Sequence, residues 1–465
     1  MTAGAVSAAG LLQVKELLAP FKDPTTVIPG APPVDEPDPG KPETIMALGT
    51  DGRLGEDIGQ RSDTILLARL DAENRVISLM SIPRDLRVAI PGYGIGKMNA
   101  AYSYGGAKLT IETVKALLST PGHPFKINHV VEVNFTGFRD LVNYLGCVYV
   151  DVDRHYFNDV GGPLGYAVID IDKGYQRLCG DDALSYVRYR HTDSDLVRGA
   201  RQQDFLRQLL RSKKVGTRLT FGNREQLVKL AARFLRTDRG LTRSTKQLFS
   251  LLKLGLAVKA QPVQQIPFAE GRIGYSLING ESFVEAPADA VADTVDRFLN
   301  PPEPKPRQQQ RSAERTARGV SLAGLSNWQS LSEAQAANAP PHGRFPIRYP
   351  RLGASDGSYE DTAPRVYELA GRRAYRLSVR LSDKEGAYYG IQGMGWRHPP
   401  ILDAPHRTIV SDRRKLDLYF DGSKLGIVAY RTPSAVYWVK NTLTHDLTKA
   451  QMLAIARSLY ILPAP

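Results

Sequence analysis

Two periodicities of apolar residues run along the chain, and the alternation between them predicts strands and helices. From residue 45 onward, apolar runs of strand length follow one another, and later segments alternate apolar with polar positions. Between them lie helical spacings, such as the one that begins at Thr110 and places Ile111, Val114 and Leu117 on one side. The predicted strands of this part are IMALGTD (45–51), TILLARLD (64–71), RVISLMSIPRD (75–85), HVVEVNF (129–135) and CVYVDVD (147–153).

Helical segments follow most of these strands. FRDLVNYLG ends at Gly146, a residue type that commonly terminates helices, and the SYGG segment (103–106) is a turn signal. GDDALSYVRYR (180–190) predicts a helix and its exit, and RGARQQDFLRQLLRSKK (198–214) predicts a second helix. Strands that alternate with helices are typical of α/β folds, so we predict an α/β or α/β/α layered domain over about residues 45–300.

The segments that flank residues 45–300 differ from them in composition and in hydrophobic pattern. Residues 1–22 begin small and apolar without a preceding basic region, and residues 23–44 are a Pro- and Gly-rich linker. Residues 301–340 predict a second linker. Residues 341–465 contain several strand patterns and one terminal helix, which predicts a smaller C-terminal domain of α+β or mostly β class.

Composition and charge narrow the class of protein. Of 465 residues, 42% are hydrophobic, which is typical of globular chains, and no run reaches the ~18 apolar residues of a membrane span. The 61 Lys and Arg against 48 Asp and Glu leave a net charge of +13, which suits an anionic partner. Residues 205–246 hold 12 of the basic residues and only two acids, Glu225 and Asp238. A solvated helical surface is the more usual explanation of such a run.

Arginine and aspartate recur near the ends of the apolar runs, where side chains meet at the edge of a sheet. Guanidinium groups bind phosphate oxygens in a bidentate way, and paired carboxylates hold Mg²⁺. The pattern therefore predicts binding or transfer of a phosphorylated group, although each Arg–Asp pair alone is more often a salt bridge. The residues are Asp51, Arg61, Asp63, Arg84, Asp85, Arg188, Arg190, Asp195, Arg198 and Gln202.

Other chemistry has little support in the sequence. The P-loop, GxSxG and HExxH patterns are absent, and so is a helix-turn-helix signature. The only two cysteines, Cys147 and Cys179, are either free core thiols or one disulfide.

The combined motifs resemble the LytR-CpsA-Psr family over about residues 45–300. They are ALGTDGR, RSDTILLARLD, VISLMSIPRDLRVAIPG, KMNAAYSYGG, INHVVEVNFTGFRDLVNYLG and ALSYVRYRHTDSDLVRGARQQ, in that order. The resemblance implies an α/β/α domain with a hydrophobic pocket for a lipid. It also implies an enzyme that moves a glycopolymer from a polyprenyl-pyrophosphate carrier to a peptidoglycan hydroxyl, through a phosphodiester bond.

The resemblance also implies roles for the charged residues. Asp51 and Asp63 match the carboxylates that hold Mg²⁺ or Mn²⁺. The positions that match pyrophosphate-binding residues are Arg61, Arg84, Arg188, Arg190, Arg198 and Gln202. We expect Asp63, Arg84, Arg190 and Asp195 to take part in catalysis, with Asp63 or Asp195 as the base for the acceptor hydroxyl.

Two departures from the family pattern carry further expectations. Gly146-Cys147 stands where the family commonly has Gly-Gly, and because the family works outside the cytoplasm, we favour a disulfide with Cys179, which would close a loop of about 30 residues. The N-terminal membrane helix usual in the family is missing, and residues 1–22 are expected to be its truncated end. The protein is thus expected in the cell envelope, anchored near a membrane surface.

Alternative functions stay open at this point. A polyprenyl-pyrophosphate pyrophosphatase or lipid-binding protein differs from the transferase only in the acceptor. A DNA-binding regulator suits the basic charge, but the arginines cluster with aspartates, and no nucleic-acid partner is expected. In the C-terminal domain, Tyr388, Tyr389, Trp396, Tyr437 and Trp438 either stack on sugars or form a core, and aromatic residues favour strands in any case.

Overall fold

The fold is that of a computed structural model. It describes residues 26–30, 34–36, 38, 41–50, 62–159, 168–189, 194–211, 235–243, 263–301, 323–342, 345–382, 386–411 and 414–462.

The chain forms two compact units that interleave in sequence. The first unit contains residues 1–147, 179–184 and 213–301, and the second contains residues 148–178, 185–212 and 302–465. Two internal segments, 148–178 and 185–212, therefore belong to the same compact unit as the C-terminal part of the chain. The predicted domains at 45–300 and 341–465, by contrast, are contiguous in sequence.

A mixed six-stranded sheet forms the centre of the first unit. Its order is β11-β6-β1-β2-β3-β12, in which β1 pairs in parallel with β6 and antiparallel with β2. Two hairpins, β4–β5 and β13–β14, complete the described strands of this unit. The strands are β1 (Glu43–Thr50), β2 (Ser62–Asp71), β3 (Val76–Ile82), β4 (Arg87–Ile90), β5 (Gly94–Lys97), β6 (His129–Asn134), β11 (Leu235–Thr237), β12 (Val263–Gln265), β13 (Gly274–Ile278) and β14 (Glu281–Glu285).

Helices α1 (Ala100–Leu118) and α6 (Ala288–Leu299) pack on this sheet. Their apolar faces share one core with β1, β2 and β3, which confirms the α/β prediction. The first helix begins earlier than the sequence pattern predicts, because the chain is already helical before Thr110 and only kinks at Gly105–Gly106. Gly106 has φ +61°, a conformation that favours glycine. The remaining described helices outside the second unit are α2 (Phe135–Leu145), α3 (Gly180–Arg188), which continues into that unit, and α5 (Arg239–Arg243).

The second unit is mostly β, as predicted for the C-terminal domain. Its largest sheet is antiparallel and runs β18-β20-β21-β25-β24-β23-β22, with β19 also paired to β20. The strands are β7 (Val148–Val152), β8 (Tyr156–Asn158), β9 (Ile169–Ile171), β10 (Gly174–Leu178), β15 (Leu325–Asn327), β16 (Tyr349–Pro350), β17 (Leu352–Ala354), β18 (Gly357–Tyr359), β19 (Arg365–Leu369), β20 (Arg372–Leu381), β21 (Tyr388–Met394), β22 (Arg407–Ser411), β23 (Arg414–Asp421), β24 (Lys424–Arg431), β25 (Val436–Lys440) and β26 (Leu459–Tyr460). The helices are α4 (Asp195–Arg211), α7 (Gln329–Ala337) and α8 (Lys449–Ser458), with a 3₁₀ turn at Pro400–Leu402.

A described strand and helix lie inside the segment predicted as the linker 301–340. Strand β15 and helix α7 lie within it, and Trp328 between them is 1% exposed. Burial of such a large apolar side chain contributes about 1.5–3 kcal/mol, which explains why this segment joins the core of the second unit.

Most of the aromatic residues considered for sugar stacking belong to a core. Tyr389, Tyr437 and Trp438 are fully buried in the second unit, whereas Tyr388 and Trp396 are half-buried. A fully buried ring contacts protein and not a polysaccharide. Tyr389, Tyr437 and Trp438 therefore form part of a core and do not stack on sugars.

A buried charged triad lies where strands β1 and β6 of the first sheet begin and β11 ends. His129, the first residue of β6, has Nε2 3.3 Å from Oε2 of Glu43 and Nδ1 3.4 Å from Oδ2 of Asp238. All three side chains are at most 2% exposed. Burial alone would lower the pKa of His129, but hydrogen bonding and attraction from Asp238 and Glu43 outweigh it and raise this pKa to about 9.

This triad predicts a loss of stability in mild base. Because the folded-state pKa of His129 exceeds its unfolded value of about 6.5, its contribution is fully present below pH 6.5 and is lost as the pH rises to about 9. We expect the unfolding free energy of the first unit to fall by about 3 kcal/mol over that range. Urea unfolding followed by far-UV circular dichroism measures it.

Two features of the chain supply the controls for this experiment. The three tryptophans, Trp328, Trp396 and Trp438, all lie in the second unit, so their fluorescence reports that unit separately. Glu43→Gln removes one of the two groups that raise the pKa of His129 and is expected to reduce the pH dependence. Equal pH dependence in wild type and Glu43→Gln contradicts the prediction.

Candidate active site

The described site positions of the first unit, Asp63, Arg84 and Asp85, lie at one end of its sheet. Strands β1, β3 and β6 terminate at this end and β2 begins there, because β1 and β3 both run antiparallel to β2 and β6 runs parallel to β1. Asp63 lies at the start of β2, and Arg84 lies two residues after β3. Asp51 and Arg61 lie outside the described residues. The described chain stops at Thr50 and resumes at Ser62, and these two residues pair with each other.

Asp63 occupies a β-bulge. In the β1–β2 ladder Gly49 pairs with Thr64 and Thr50 pairs with Ser62, so Asp63 is the extra residue of its strand. Bulges of this kind are common beside active sites, because they change the direction of a side chain relative to the regular pleat. Only the backbone of Asp63 is described, so its proposed role as a metal ligand stays a prediction.

Arg84 and Asp85 lie on a turn that the backbone holds on both sides. The carbonyl oxygen of Arg84 accepts a hydrogen bond from the amide of Asn99 at 2.9 Å, and that of Asp85 accepts one from Val284 at 2.9 Å. The Arg84 side chain is one fifth exposed, and its Nε lies 3.8 Å from Oδ1 of Asp85. A guanidinium on an anchored turn presents a fixed positive charge to a phosphate group.

The other described site residues belong to the second unit, around helix α4. Asp195 is the first residue of α4, and its Oδ1 lies 3.1 Å from a guanidinium nitrogen of Arg198. One turn further, the side-chain amide of Gln202 donates to the carbonyl oxygen of Val187 at 3.1 Å. Arg188, the last residue of α3, follows Val187 directly, so the start of α4 and the end of α3 lie side by side. Arg190 lies outside the described residues.

Arg201 is a residue that the sequence patterns did not single out. Its fully buried guanidinium donates to the carbonyl oxygens of Tyr186 and Tyr189, at 3.2 and 2.7 Å, and to the hydroxyl of Tyr156 at 3.2 Å. It thereby satisfies carbonyl groups at the end of α3, next to Arg188. In the sequence, Arg201 is one more basic residue of a basic helix, and only its burial distinguishes it.

The structure contains the disulfide between Cys147 and Cys179. Both residues belong to the first unit, and their Cα atoms are 4.6 Å apart. The loop that they close, residues 148–178, belongs to the second unit. Cys147 follows the αL residue Gly146 and itself has φ +64°, which explains physically why glycine suits this position.

A metal site is not defined by the described residues. Within them, no group of three or more His, Cys, Asp or Glu residues is arranged to hold a metal ion. The predicted ligands Asp51 and Asp63 have side chains outside that part of the chain. The expectation of Mg²⁺ or Mn²⁺ therefore rests on the sequence pattern and the family resemblance alone.

Comparison with known proteins places these residues in a family. Residues 22–298 match the LytR_cpsA_psr family. The polyisoprenyl-teichoic acid–peptidoglycan teichoic acid transferase TagT of Bacillus subtilis (strain 168) is 38% identical over 185 residues, which are 39% of this chain and 56% of TagT. TagV of the same organism, named for the same activity, is 35% identical over 175 residues, which are 37% of this chain and 43% of TagV. The chain spans about half the length of these relatives.

The chain also aligns with solved structures. A structure of TagT with bound octaprenyl pyrophosphate lipid aligns with a TM-score of 0.41 and 26% identity, over 58% of this chain and 93% of that one. Among the described residues, no helix combines the length and the apolar character needed to cross a membrane. Since the family match covers more than half of the sequence, the chain belongs to the LytR-CpsA-Psr family.

Proposed function

We propose that this protein transfers a glycopolymer from a polyprenyl-pyrophosphate carrier to a hydroxyl group of peptidoglycan, through a phosphodiester bond. The observation that carries the proposal is the family match, because residues 22–298 include every predicted pyrophosphate-binding arginine. The relatives in that family are named as transferases that join teichoic acid to peptidoglycan.

In the proposed reaction the acceptor hydroxyl oxygen attacks the phosphorus nearer the sugar. A new P–O bond forms, the bond to the bridging oxygen breaks, and polyprenyl phosphate leaves with the electron pair. The hydroxyl proton passes to a carboxylate, for which Asp63 and Asp195 are the candidates. Arg61, Arg84, Arg188, Arg190 and Arg198 neutralise the charge that develops on the phosphate oxygens, and Gln202 supports them.

Asp51 and Asp63 are the proposed ligands of a Mg²⁺ or Mn²⁺ ion. Carboxylate oxygens are the ligands that these hard cations prefer. In the sequence Asp51 follows Thr50, and Asp63 follows Ser62, the residue that pairs with Thr50. When bound, such an ion supplies positive charge that a pyrophosphate group requires.

We place the reaction in the cell envelope, on the outer side of the cytoplasmic membrane. The disulfide supports this location, because such bonds persist in oxidising compartments. A membrane anchor over residues 1–22, a lipid pocket and a membrane-facing role for the basic stretch 205–246 are further proposals. Residues 1–22 lie outside the described part of the chain, as does most of the basic stretch.

A transfer assay tests this function. Purified protein is incubated with a polyprenyl-pyrophosphate-linked saccharide, Mg²⁺ and peptidoglycan. We expect wild type to release polyprenyl phosphate and to label the peptidoglycan, and we expect Asp63→Ala and Arg190→Ala to do neither. Arg272→Ala is the control, since this half-exposed arginine of the first unit pairs with Asp289 and Asp293 outside the site.

Other outcomes point to the alternative functions. Release of polyprenyl phosphate with free saccharide phosphate, and without labelled peptidoglycan, identifies a pyrophosphatase. Tight, salt-dependent DNA binding without turnover of the lipid substrate overturns the enzymatic proposal altogether.

A further inference from the structure

The face of α4 opposite the candidate site residues carries charged side chains. Arg207 follows Arg198 by nine residues. At 3.6 residues per turn, this spacing places the two arginines on opposite faces of the helix. Asp204, about 60° around the helix from Arg207, belongs to this second face, and Gln208 lies at its border, about 100° from Arg207. All three side chains are buried in the second unit. Helix α4 thus presents Arg198 and Gln202 on one side and a buried polar face on the other.

The C-terminal sheet binds that polar face through ion pairs. Lys440, the last residue of β25, donates from Nζ to Oδ2 of Asp204 at 2.9 Å. Arg207 pairs with both Asp204 and Asp421, the last residue of β23. The side-chain amide of Gln208 also donates to Asp204, at 2.7 Å. Asp204 and Arg207, less than one turn apart, therefore hold helix α4 to two strands of the sheet, β25 and β23.

Strand β7 joins the same network. The two carboxylate oxygens of Asp151 accept hydrogen bonds from Arg376 and from the indole of Trp438, each at 2.6 Å. Lys440 donates to the carbonyl oxygen of Asp151 at 2.8 Å. Gly390 on the neighbouring strand leaves room for Arg376, because a Cβ atom at that position would overlap the guanidinium. The site for this arginine is thus built into the sheet.

The charges of the network balance. Asp151, Asp204 and Asp421 face Arg207, Arg376 and Lys440. His445, 3.6 Å from Asp421, adds no charge at neutral pH, because burial and then Arg207 lower its pKa to about 3. Burial would raise the pKa of Asp204, but Lys440 and Arg207 outweigh burial and lower it. Buried ion pairs add little to the net free energy of unfolding. An arrangement that separates the partners is nevertheless strongly disfavoured, because it leaves a buried charge without its partner.

We propose that the C-terminal sheet positions helix α4 for catalysis, with Lys440 and Asp421 as positioning residues that act through Asp204 and Arg207. The sheet fixes the rotation and the axial placement of α4, and with them the placement of Arg198 and Gln202 at its start. This inference rests on the proposed function, because it assigns Arg198 and Gln202 to the pyrophosphate. It gives the C-terminal domain, which lies beyond the family match at residue 298, a role in the reaction.

The test compares two lysines in matched surroundings. The side chains of Lys440 and Lys173 are 9% and 7% exposed, and each lies 2.9 Å from a carboxylate oxygen, but the carboxylates that pair with Lys173 are those of Glu360 and Asp361, outside α4. We expect Lys440→Met to lower kcat/KM for transfer from a polyprenyl-pyrophosphate disaccharide at least tenfold, since small displacements of a catalytic group cost about that much or more. Hydrogen exchange of the α4 amides is expected to rise about tenfold.

The controls separate positioning from general destabilisation. Lys173→Met is expected to lower the melting temperature by a similar amount while kcat/KM stays within about twofold and α4 exchange is unchanged. Asp421→Asn, which keeps the size of the side chain, is the gentler variant if Lys440→Met does not fold. Equal losses of kcat/KM in Lys440→Met and Lys173→Met overturn the proposal, and so does faster α4 exchange with unchanged kcat/KM.

A second measurement keeps this proposal separate from the proposed function. If wild type transfers nothing, the proposed function fails, and binding of geranylgeranyl pyrophosphate by calorimetry takes the place of the activity readout. Weaker binding by Lys440→Met, at least about tenfold, with Lys173→Met unchanged, supports positioning of α4. Equal affinity in wild type and Lys440→Met, or no binding by wild type, overturns it.

Discussion

Replacement of Arg198 with alanine is expected to lower kcat/KM for glycopolymer transfer by about 100- to 1,000-fold. Loss of one preorganised donor to a developing oxyanion has effects of this size in other enzymes. Arg198 is 5% exposed and is held by Asp195 at 3.1 Å, so its guanidinium is oriented before the substrate arrives. Steady-state kinetics with the polyprenyl-pyrophosphate disaccharide measures the change.

Two further variants of this ion pair separate binding chemistry from structure. Arg198→Lys keeps the charge but loses the fork that binds two phosphate oxygens, so we expect an intermediate loss. Asp195→Asn removes the carboxylate charge and leaves Arg198 in place, and a loss of about tenfold or less indicates that Asp195 only orients the arginine. If folded Arg198→Ala retains kcat/KM within about threefold of wild type, Arg198 does not act on the pyrophosphate.

Loss of the disulfide is expected to lower the unfolding free energy by about 3–4 kcal/mol. The sequence separation of Cys147 and Cys179 is 32 residues, and closing a loop of this length restricts the unfolded chain by that amount on the chain-entropy model. Cys147→Ser tests this in urea unfolding at neutral pH. Reduction of the wild type is expected to have an effect of the same size.

The backbone at Cys147 supplies an internal control. With φ +64°, a serine at this position keeps the cost of the left-handed conformation, whereas glycine removes it. We therefore expect Cys147→Gly to be more stable than Cys147→Ser by about 1 kcal/mol, although both lack the disulfide. Equal stabilities would show that the left-handed backbone at residue 147 costs nothing measurable.

Sequence patterns predict the central strands well, because burial makes them continuous apolar runs. The runs at 45–51, 64–71, 75–85 and 129–135 all correspond to strands of one sheet. The predicted start of α1 is wrong. The two glycines of SYGG suggest a turn, but packing in the core keeps the chain helical on both sides of them. Local signals predict the glycine conformation, but they do not report what the neighbouring core supports.

The sequence predicts the residue types of the candidate site but not the contacts that these residues make. Alternation and helix spacing place Arg198 and Gln202 on one face of a helix, and the structure has both on α4. The burial of Arg201 and the ion pairs between α4 and residues more than 200 positions away leave no local pattern. Such pairs depend on which strands become neighbours, and that depends on the whole fold.

The sequence by itself determined the α/β class, the mostly β C-terminal part, the family and the charged residues offered to a pyrophosphate. These follow from periodicity and motif order, which are properties of short segments. Only the tertiary structure decided that residues 148–178 and 185–212 pack with the C-terminal sheet, and that Lys440 and Asp421 hold α4. Burial makes such ion pairs selective, because a charge removed from water requires its partner at one place in the fold.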